Sequence, residues 1–484
     1  MSSAFARLLV FSTSAAVLVL EILAGRLMAP YVGVTIESFT GIIGVVLAGI
    51  SIGAWSGGRA ADRLPPRRLL GPLLVAGGIL ALLAPAVVHG IGPAMVAAGP
   101  VEIVTLTVLA FFLPAAVLSA VTPIVVKLRL QSLDETGRVV GTLSAVGTAG
   151  AIFGTFVTGF VLIAALPGTG IVLAIGAGLV VAGVVLWAPP RSRALQAAVV
   201  STIAAVALLV LVDGPCDEET TYFCAYVEVD DDRATGRTLW LDALPHSYVD
   251  LADPTHLEFR YARVMGDVLA TLSPGPLDAL FIGGGGFTLP RYLAAVRPGS
   301  HSTVLEIDPA LVDLVADELG LDPDRPDLDI VTGDGRVRLR ERPEAAFDVV
   351  IGDAFGGRSV PWHLTTREFV TDIRDRLRPG GIYLLNLIDQ PPLAFARAEV
   401  ATIAAVFRHV AVIAPPEYLA RVDGGNFVVA ASDFPLDPGA IAAAIAARRG
   451  EEAVVAGPGL SEFVDGARVL RDEHAPVDQL ISSR

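Results

Sequence analysis

The sequence predicts an α-helical multi-spanning membrane domain joined to an α/β, Rossmann-like domain, with a small β-hairpin domain between them. Three observations predict it: the hydropathy, the placement of charge and a change of hydrophobic period near residue 225. Of 484 residues, 53% are hydrophobic and 18% are charged, against roughly a quarter charged in an ordinary soluble domain. Residues 1–212 hold 6 acidic and 11 basic side chains, and residues 213–484 hold 44 acidic and 24 basic. The two parts thus carry net charges of +5 and −20 within a total of −15. A polar half so acidic repels phosphate, which disfavours nucleic acid as a partner.

Seven apolar runs, at about 8–28, 39–57, 69–90, 102–126, 139–165, 169–188 and 195–212, approach the ~20 residues that a membrane-crossing helix needs. A cleaved leader does not account for them, because the first run lacks a small-residue cleavage site and six more follow. Arg59, Arg63, Arg67 and Arg68 separate runs two and three, Lys127, Arg129 and Arg138 separate four and five, and Arg191 and Arg193 separate six and seven. The connections around 29–38, 91–100 and 166–168 have no Lys or Arg. This alternation places the basic connections in the cytoplasm. With seven crossings of the cell membrane, the N-terminus is cytoplasmic and everything after Val212 is extracytoplasmic. The lipid bilayer is the first expected partner.

Cys216 and Cys224, the only cysteines, follow the last run. In an oxidising compartment a pair closing so short a loop forms a disulfide; the alternative is two unrelated thiols. No metal-ligand spacing accompanies them. Within the first run, Glu21 and Arg26 form either a neutralising pair or a ligand or translocation site. Gly147, Gly150, Gly154 and Gly159 suit close helix packing.

Beyond Ala225, short alternating strands at 226–229, 237–242 and 247–251 read as the β-hairpin domain, and a helix at 255–272 follows. Apolar strand-like runs at 278–282, 303–307, 329–331, 348–351 and 382–387 alternate with helical stretches, the pattern of a parallel, doubly wound sheet. Segments at 409–413 and 426–431 complete its edge, and 437–449 reads as an Ala-rich helix. The expected divisions are 1–212 for the membrane domain, 213–254 for linker and small β domain, 255–435 for the Rossmann-like domain and 436–484 for a C-terminal helix and tail.

The first strand-to-helix junction is Phe-Ile-Gly-Gly-Gly-Gly-Phe, residues 281–287. Gly283, Gly284 and Gly285 let backbone approach a ligand, and the next helix offers its N-terminal amides. Glu306, 21 residues beyond Gly285, ends the following strand, where a carboxylate takes both ribose hydroxyls of a nucleoside. Asp334 and Gly335 in Gly-Asp-Gly end the third strand, within reach of an adenine amino group, and Asp353 in Ile-Gly-Asp-Ala ends the fourth. The competing account is that each acid caps a helix or turn.

Thr-Leu-Trp-Leu-Asp-Ala (238–243), Leu-Glu-Phe-Arg-Tyr (257–261), the glycines at 283–286, Leu-Glu-Ile-Asp (305–308), Gly-Asp-Gly (333–335) and Phe-Asp-Val-Val-Ile-Gly-Asp (347–353) resemble spermidine synthases. With the membrane half, the whole resembles the fused, multi-spanning spermidine-synthase-like proteins of bacteria. The resemblance implies a methyltransferase-type Rossmann fold and transfer of an aminopropyl group from decarboxylated S-adenosylmethionine to an amine, putrescine or another acceptor, releasing methylthioadenosine. The nucleoside is then a co-substrate, no cofactor is tightly bound, no metal is required, and a second copy of the chain is the expected protein partner. Position by position, Glu306 holds the ribose, Asp334 the adenine, Asp353 is the general base and Tyr261 lines the amine pocket. His246, in place of a family glutamine, belongs to that pocket, as does Trp362, with the alternative that the Trp362-His363 loop is an anchor packed on the sheet. His246 and His256 are acid–base candidates or structural histidines.

Departures from the family pattern gather where the amine binds. Gly286 stands where the family has an aspartate and Gly356 where it has a carboxylate three residues after the base, and Ala262-Arg263 replaces a His-Glu pair, so the nucleoside half is kept better than the polyamine half. The expected orientation also puts the domain away from the cytoplasm, where sulfonium nucleosides are made. Either the membrane half delivers a substrate, the domain takes another ligand, or the orientation is reversed. Two further readings stand beside aminopropyl transfer: an S-adenosylmethionine-dependent methyltransferase of the same fold, and a non-catalytic nucleoside-binding transport or sensor protein.

Overall fold

The computed structural model describes residues 1–33, 36–95, 100–187, 214–357 and 359–481, with isolated positions between 197 and 204. The chain divides into two compact units, Met1–Cys224 and Ala225–Arg484. Glu219 and Thr220, in the expected linker, bond to helices of the first unit.

Six helices in the first unit are long and apolar enough to cross a membrane: α1 (Ser3–Val32), α2 (Glu37–Arg63), α3 (Pro66–Met95), α4 (Pro100–Arg129), α5 (Leu133–Ala165) and α6 (Gly168–Trp187). The seventh expected run, 195–212, lies largely outside the described residues. Ser2 starts α1 by accepting the Phe5 N–H, and Pro66 occupies the first turn of α3, where a missing N–H costs nothing. Each of α4 and α5 carries one π-helical turn, at Val108–Phe112 and Thr158–Leu162.

Small residues set the helix spacing. A Cβ on Gly150 would lie 2.2 Å from the Phe11 carbonyl oxygen, and one on Gly154 would lie 2.6 Å from that of Ala15, so α5 rests directly on the α1 backbone. Gly147 also faces α1, whereas Gly159 faces open space and takes no part in the expected seam. A second seam, not singled out in the sequence, runs along α2, where a Cβ on Gly53 would meet the Ala116 carbonyl at 2.0 Å.

The bundle has two chemically distinct ends. At one, Lys127 Nζ pairs with Asp62 at 2.8 Å and Arg129 donates to the Met1 carbonyl at 3.2 Å. Trp187 packs close to Gly71, one turn after Arg67 and Arg68 in the first turn of α3. At the other, Glu219 of the short strand β1 (Glu218–Glu219) caps the start of α6, accepting the Gly168 N–H at 2.8 Å. Arg26 donates to the Thr220 carbonyl, and among the described residues no ion pair joins it to Glu21. Trp187 and Glu219 therefore sit at opposite ends. Cys216 and Cys224 are bonded, with Cα atoms 5.1 Å apart.

The second unit begins with an antiparallel meander, β2 (Cys224–Val229), β3 (Gly236–Leu241) and β4 (Leu244–Asp250). It leads into the helix Arg260–Thr271 and then the large sheet. The parallel strands are β5 (Asp278–Ile282), β6 (His301–Glu306), β7 (Leu328–Thr332), β8 (Phe347–Gly352) and β9 (Leu377–Asp389). Three antiparallel strands, β10 (His409–Ala414), β11 (Gly425–Ser432) and β12 (Ala453–Ala456), close one side. The order is β12-β10-β11-β9-β8-β5-β6-β7. Central β5 and β8 read as nearly unbroken apolar runs because helices cover both faces of a parallel sheet.

Strands β10 and β11 complete one side of the sheet as expected, with β11 lying between β9 and β10. One feature differs from expectation: β12 extends the edge in a region expected to be helix and tail. Nor is the rest of that tail loose: Arg336 makes a two-pronged pair with Asp472 at 2.7 Å on each arm, and Leu470 donates its N–H to Thr402 Oγ1.

The helix Ala394–Ala404 carries one anomaly beneath the sheet. Glu399 is fully buried, and neither carboxylate oxygen has a hydrogen-bond partner among the described residues. Burial pushes its carboxyl well above the ordinary value near 4.5, so the folded protein holds it protonated. The unfolded chain ionises it readily, so this group costs stability as pH rises above its ordinary value. Glu399→Met is expected to raise stability at neutral pH by about 1–3 kcal/mol, with the gain shrinking toward pH 4. Thermal melts of the two proteins across pH check this, and a lowered melting temperature at pH 7 would contradict it.

Candidate active site

The C-terminal ends of β5, β6, β7 and β8 face one crevice, the place where open α/β sheets bind ligands. After β5 the backbone turns into the helix Thr288–Val296 through φ values of 96° at Gly283 and 49° at Gly285, a left-handed region that favours glycine. A Cβ on Gly283 would meet the Asp353 carbonyl oxygen at 2.5 Å, and one on Gly285 would meet Ser247 Oγ at 2.6 Å. Ser247 on β4 also accepts the Gly286 N–H at 2.9 Å, and Thr288 donates to the Tyr248 carbonyl. The β meander thereby forms one wall of the glycine loop.

Glu306 ends β6 and is buried. Its Oε2 accepts the N–H groups of Gly284 at 2.8 Å and Gly285 at 3.4 Å, and Oε1 accepts that of Asp308 at 3.0 Å. Burial pushes this carboxyl above its ordinary value, and the three amides partly offset it. The carboxylate is thus locked in orientation, with lone pairs left to accept a diol.

Asp334 caps the helix Gly335–Arg340, with Oδ1 accepting the Val337 N–H at 3.0 Å, so the capping account is correct for this residue. Its other oxygen lies 2.9 Å from His363 Nε2. Burial favours the neutral acid, but the Val337 amide and His363 outweigh it and hold the carboxyl below its ordinary value. A Cβ on Gly335 would press on Ile282 at 2.8 Å, which keeps the helix start against the end of β5.

Asp353 lies just beyond β8, and its position is fixed by its N–H bond to the Ile282 carbonyl at 2.9 Å. Asn386 on β9 donates to Oδ1 at 2.9 Å, and the Asn386 oxygen accepts from Asn426 on β11 at 2.9 Å. Tyr261 donates its phenol to the same carboxylate. Burial pushes Asp353 up to about 6, against the pull of these two donors. Such a carboxylate is ionised at neutral pH and able to accept the proton that an amine nitrogen sheds as it forms a new bond. Asp353, Tyr261, Tyr248, Glu258, Phe281 and Gly283 are among the residues that line one open, narrow cleft.

The expected residues thus divide. Gly283, Gly284, Gly285, Glu306, Asp353 and Tyr261 come together, and Asp334 forms a second cluster with His363. Trp362 is half exposed on a single helical turn, edge-on to His363. His246 does not line the cleft at Asp353; it is half-buried on β4, and loss of solvent there pushes its imidazole down to about 4. Sequence reasoning missed Ser247, Asn386, Asn426 and Glu258. Asn386 had a readable signal, a lone amide within the apolar run Tyr-Leu-Leu-Asn-Leu-Ile, because a polar side chain in a buried strand needs a buried partner.

Residues 258–421 match the spermine/spermidine synthase domain. Among solved structures, a probable spermidine synthase from Corynebacterium glutamicum is 30% identical, with a TM-score of 0.50 over 54% of this chain and 97% of that one. The chain belongs to the spermine/spermidine synthase family. Among curated relatives, the polyamine aminopropyltransferase of Vibrio vulnificus is 33% identical over 132 residues, 26% of this chain and 43% of the relative. A probable polyamine aminopropyl transferase of Bifidobacterium longum is 33% identical over 133 residues, 27% of this chain and 29% of the relative. The chain therefore spans less than half the length of these two relatives. The synthase match includes Tyr261, Glu306, Asp334, Asp353 and Asn386, while Ser247 and the six apolar helices fall outside it.

Proposed function

We propose that the chain is a membrane-embedded aminopropyltransferase that moves the aminopropyl group of decarboxylated S-adenosylmethionine to an amine. The observation that carries this reading is Asp353, a carboxylate tuned to about 6 and held by Asn386 and Tyr261 beside the glycine loop that Glu306 secures. The amine nitrogen attacks the carbon next to the sulfonium, the C–S electron pair stays on sulfur, and neutral methylthioadenosine leaves. The proton shed by the nitrogen passes to Asp353. Because the leaving group is neutral, no oxyanion site is needed. Glu306 binds the ribose hydroxyls, and Asp334, held by His363, faces the base.

The full chain in detergent, given decarboxylated S-adenosylmethionine and a panel of amines, is expected to release methylthioadenosine. S-adenosylhomocysteine formed from ordinary S-adenosylmethionine would point instead to a methyltransferase. Binding without turnover of either nucleoside would leave the sensor reading.

We infer further that the second unit follows a seventh crossing and lies on the extracytoplasmic side. Support comes from the basic residues gathered at the Met1 end of the bundle and from Trp187 and Glu219 lying at opposite ends. After reduction, Cys216 is expected to react with a membrane-impermeant maleimide in intact cells stripped of their outer layers. Labelling confined to inverted vesicles would reverse the orientation.

A further inference from the structure

The cleft beside Asp353 contains, among the described residues that line it, two carboxylates, Asp353 and Glu258, set among Tyr248, Phe281 and Pro290. They are not equivalent. Asp353 is bonded to neutral groups, the Asn386 amide and the Tyr261 phenol. Glu258 Oε2 already faces Arg263 Nη2 at 3.3 Å and His256 Nε2 at 3.0 Å. Arg263 is fixed in turn by donating through Nε to the Leu257 carbonyl at 2.6 Å. Nor is there room for another acid on the glycine loop: a Cβ at Gly286 would lie 2.9 Å from Ser247 Cβ and 3.1 Å from Val249 Cγ2.

The cleft thus presents one carboxylate without a cationic partner. A diamine brings a second ammonium that finds its nearest cleft counter-charge, the half-exposed Glu258, already paired with Arg263, so it gains no free carboxylate there. A monoamine has no second charge to place. We propose that the acceptor is a primary monoamine with a neutral tail, and that Arg263 sets this selectivity by neutralising Glu258. This rests on the aminopropyl-transfer reading above.

The test uses the full chain, decarboxylated S-adenosylmethionine and three four-carbon acceptors: butan-1-amine, butane-1,4-diamine and 4-aminobutanoate. Butan-1-amine is expected to show the highest kcat/KM, about tenfold or more above the diamine, which corresponds to roughly 1.4 kcal/mol. A preference for either of the other two overturns the inference. Arg263→Gln is expected to raise the diamine-to-monoamine ratio about tenfold, and Glu258→Gln to leave the monoamine preferred; an unchanged ratio in Arg263→Gln removes Arg263 from the account. Absence of turnover with every amine defeats the transfer reading itself. Calorimetric binding of the three amines to the methylthioadenosine-loaded protein then ranks them, the monoamine first supporting the inference and the diamine first overturning it.

Discussion

Asp353→Asn is expected to lower methylthioadenosine release by about 10²–10⁴-fold, the usual contribution of a positioned general base, while nucleoside binding stays near that of the native protein. The same carboxyl predicts the pH profile. A base pushed up to about 6 must be ionised to act, so kcat/KM should fall about tenfold per pH unit below 6 and level off above it. Asn386→Leu removes a donor that favours the ionised form, so it should move this acid limb to higher pH. Stability runs the other way. The native state holds the Asp353 proton more tightly than the unfolded chain does, so stability declines between the ordinary value near 3.8 and about 6. Asp353→Asn lacks that decline, so the inactive variant should melt at a higher temperature than the native protein at pH 7. Loss of activity together with a lowered melting point would mean that Asp353 is structural.

Glu306→Ala is expected to weaken methylthioadenosine binding by about 10–100-fold, read by calorimetry, since a hydrogen bond to a charged group contributes roughly 1.5–3 kcal/mol. The effect has two sources in one carboxylate. It would accept the ribose hydroxyls, and it already accepts the Gly284, Gly285 and Asp308 amides, so its loss leaves three backbone donors without that acceptor in a buried place. Glu306→Gln separates the sources. It keeps the shape and one carbonyl acceptor but turns an NH2 toward donors, so binding should fall while the fold is largely kept. Unchanged affinity in both variants would remove Glu306 from the nucleoside site.

Much of the proposed nucleoside half of the site was legible as a cluster because its residues sit at strand ends within short, recognisable segments. Glu306, Asp334 and Asp353 each follow an apolar run, and their spacing from the glycine loop is a local property of the chain. The proposed acceptor half was not legible in the same way. His246 stands in place of a family glutamine after the Leu-Asp motif, yet the bulge between Leu239 and Trp240 disturbs the register of β3 and β4, and Ser247 is the side chain that meets the glycine loop. Glu258, two residues after His256 and five before Arg263, carries no local sign that both would face it.

The sequence by itself determined the apolar helices, the basic connections, the alternating strands and helices, and the acids that end the parallel strands. Hydrophobic period, charge placement and turn chemistry are local, so they can be read along one dimension. Only the tertiary structure decided that β11 lies between β9 and β10, that Asn426 reaches Asp353 through Asn386, that Arg26 and the start of α6 hold Thr220 and Glu219 of the Cys216–Cys224 loop, and that Glu399 lies buried with no hydrogen-bond partner among the described residues. Each of these joins groups far apart in the chain or depends on what surrounds a side chain from several elements at once. The ionisation of Asp353 belongs with them, because it follows from burial and from donors supplied by Tyr261 and Asn386, residues on opposite sides of it in the sequence.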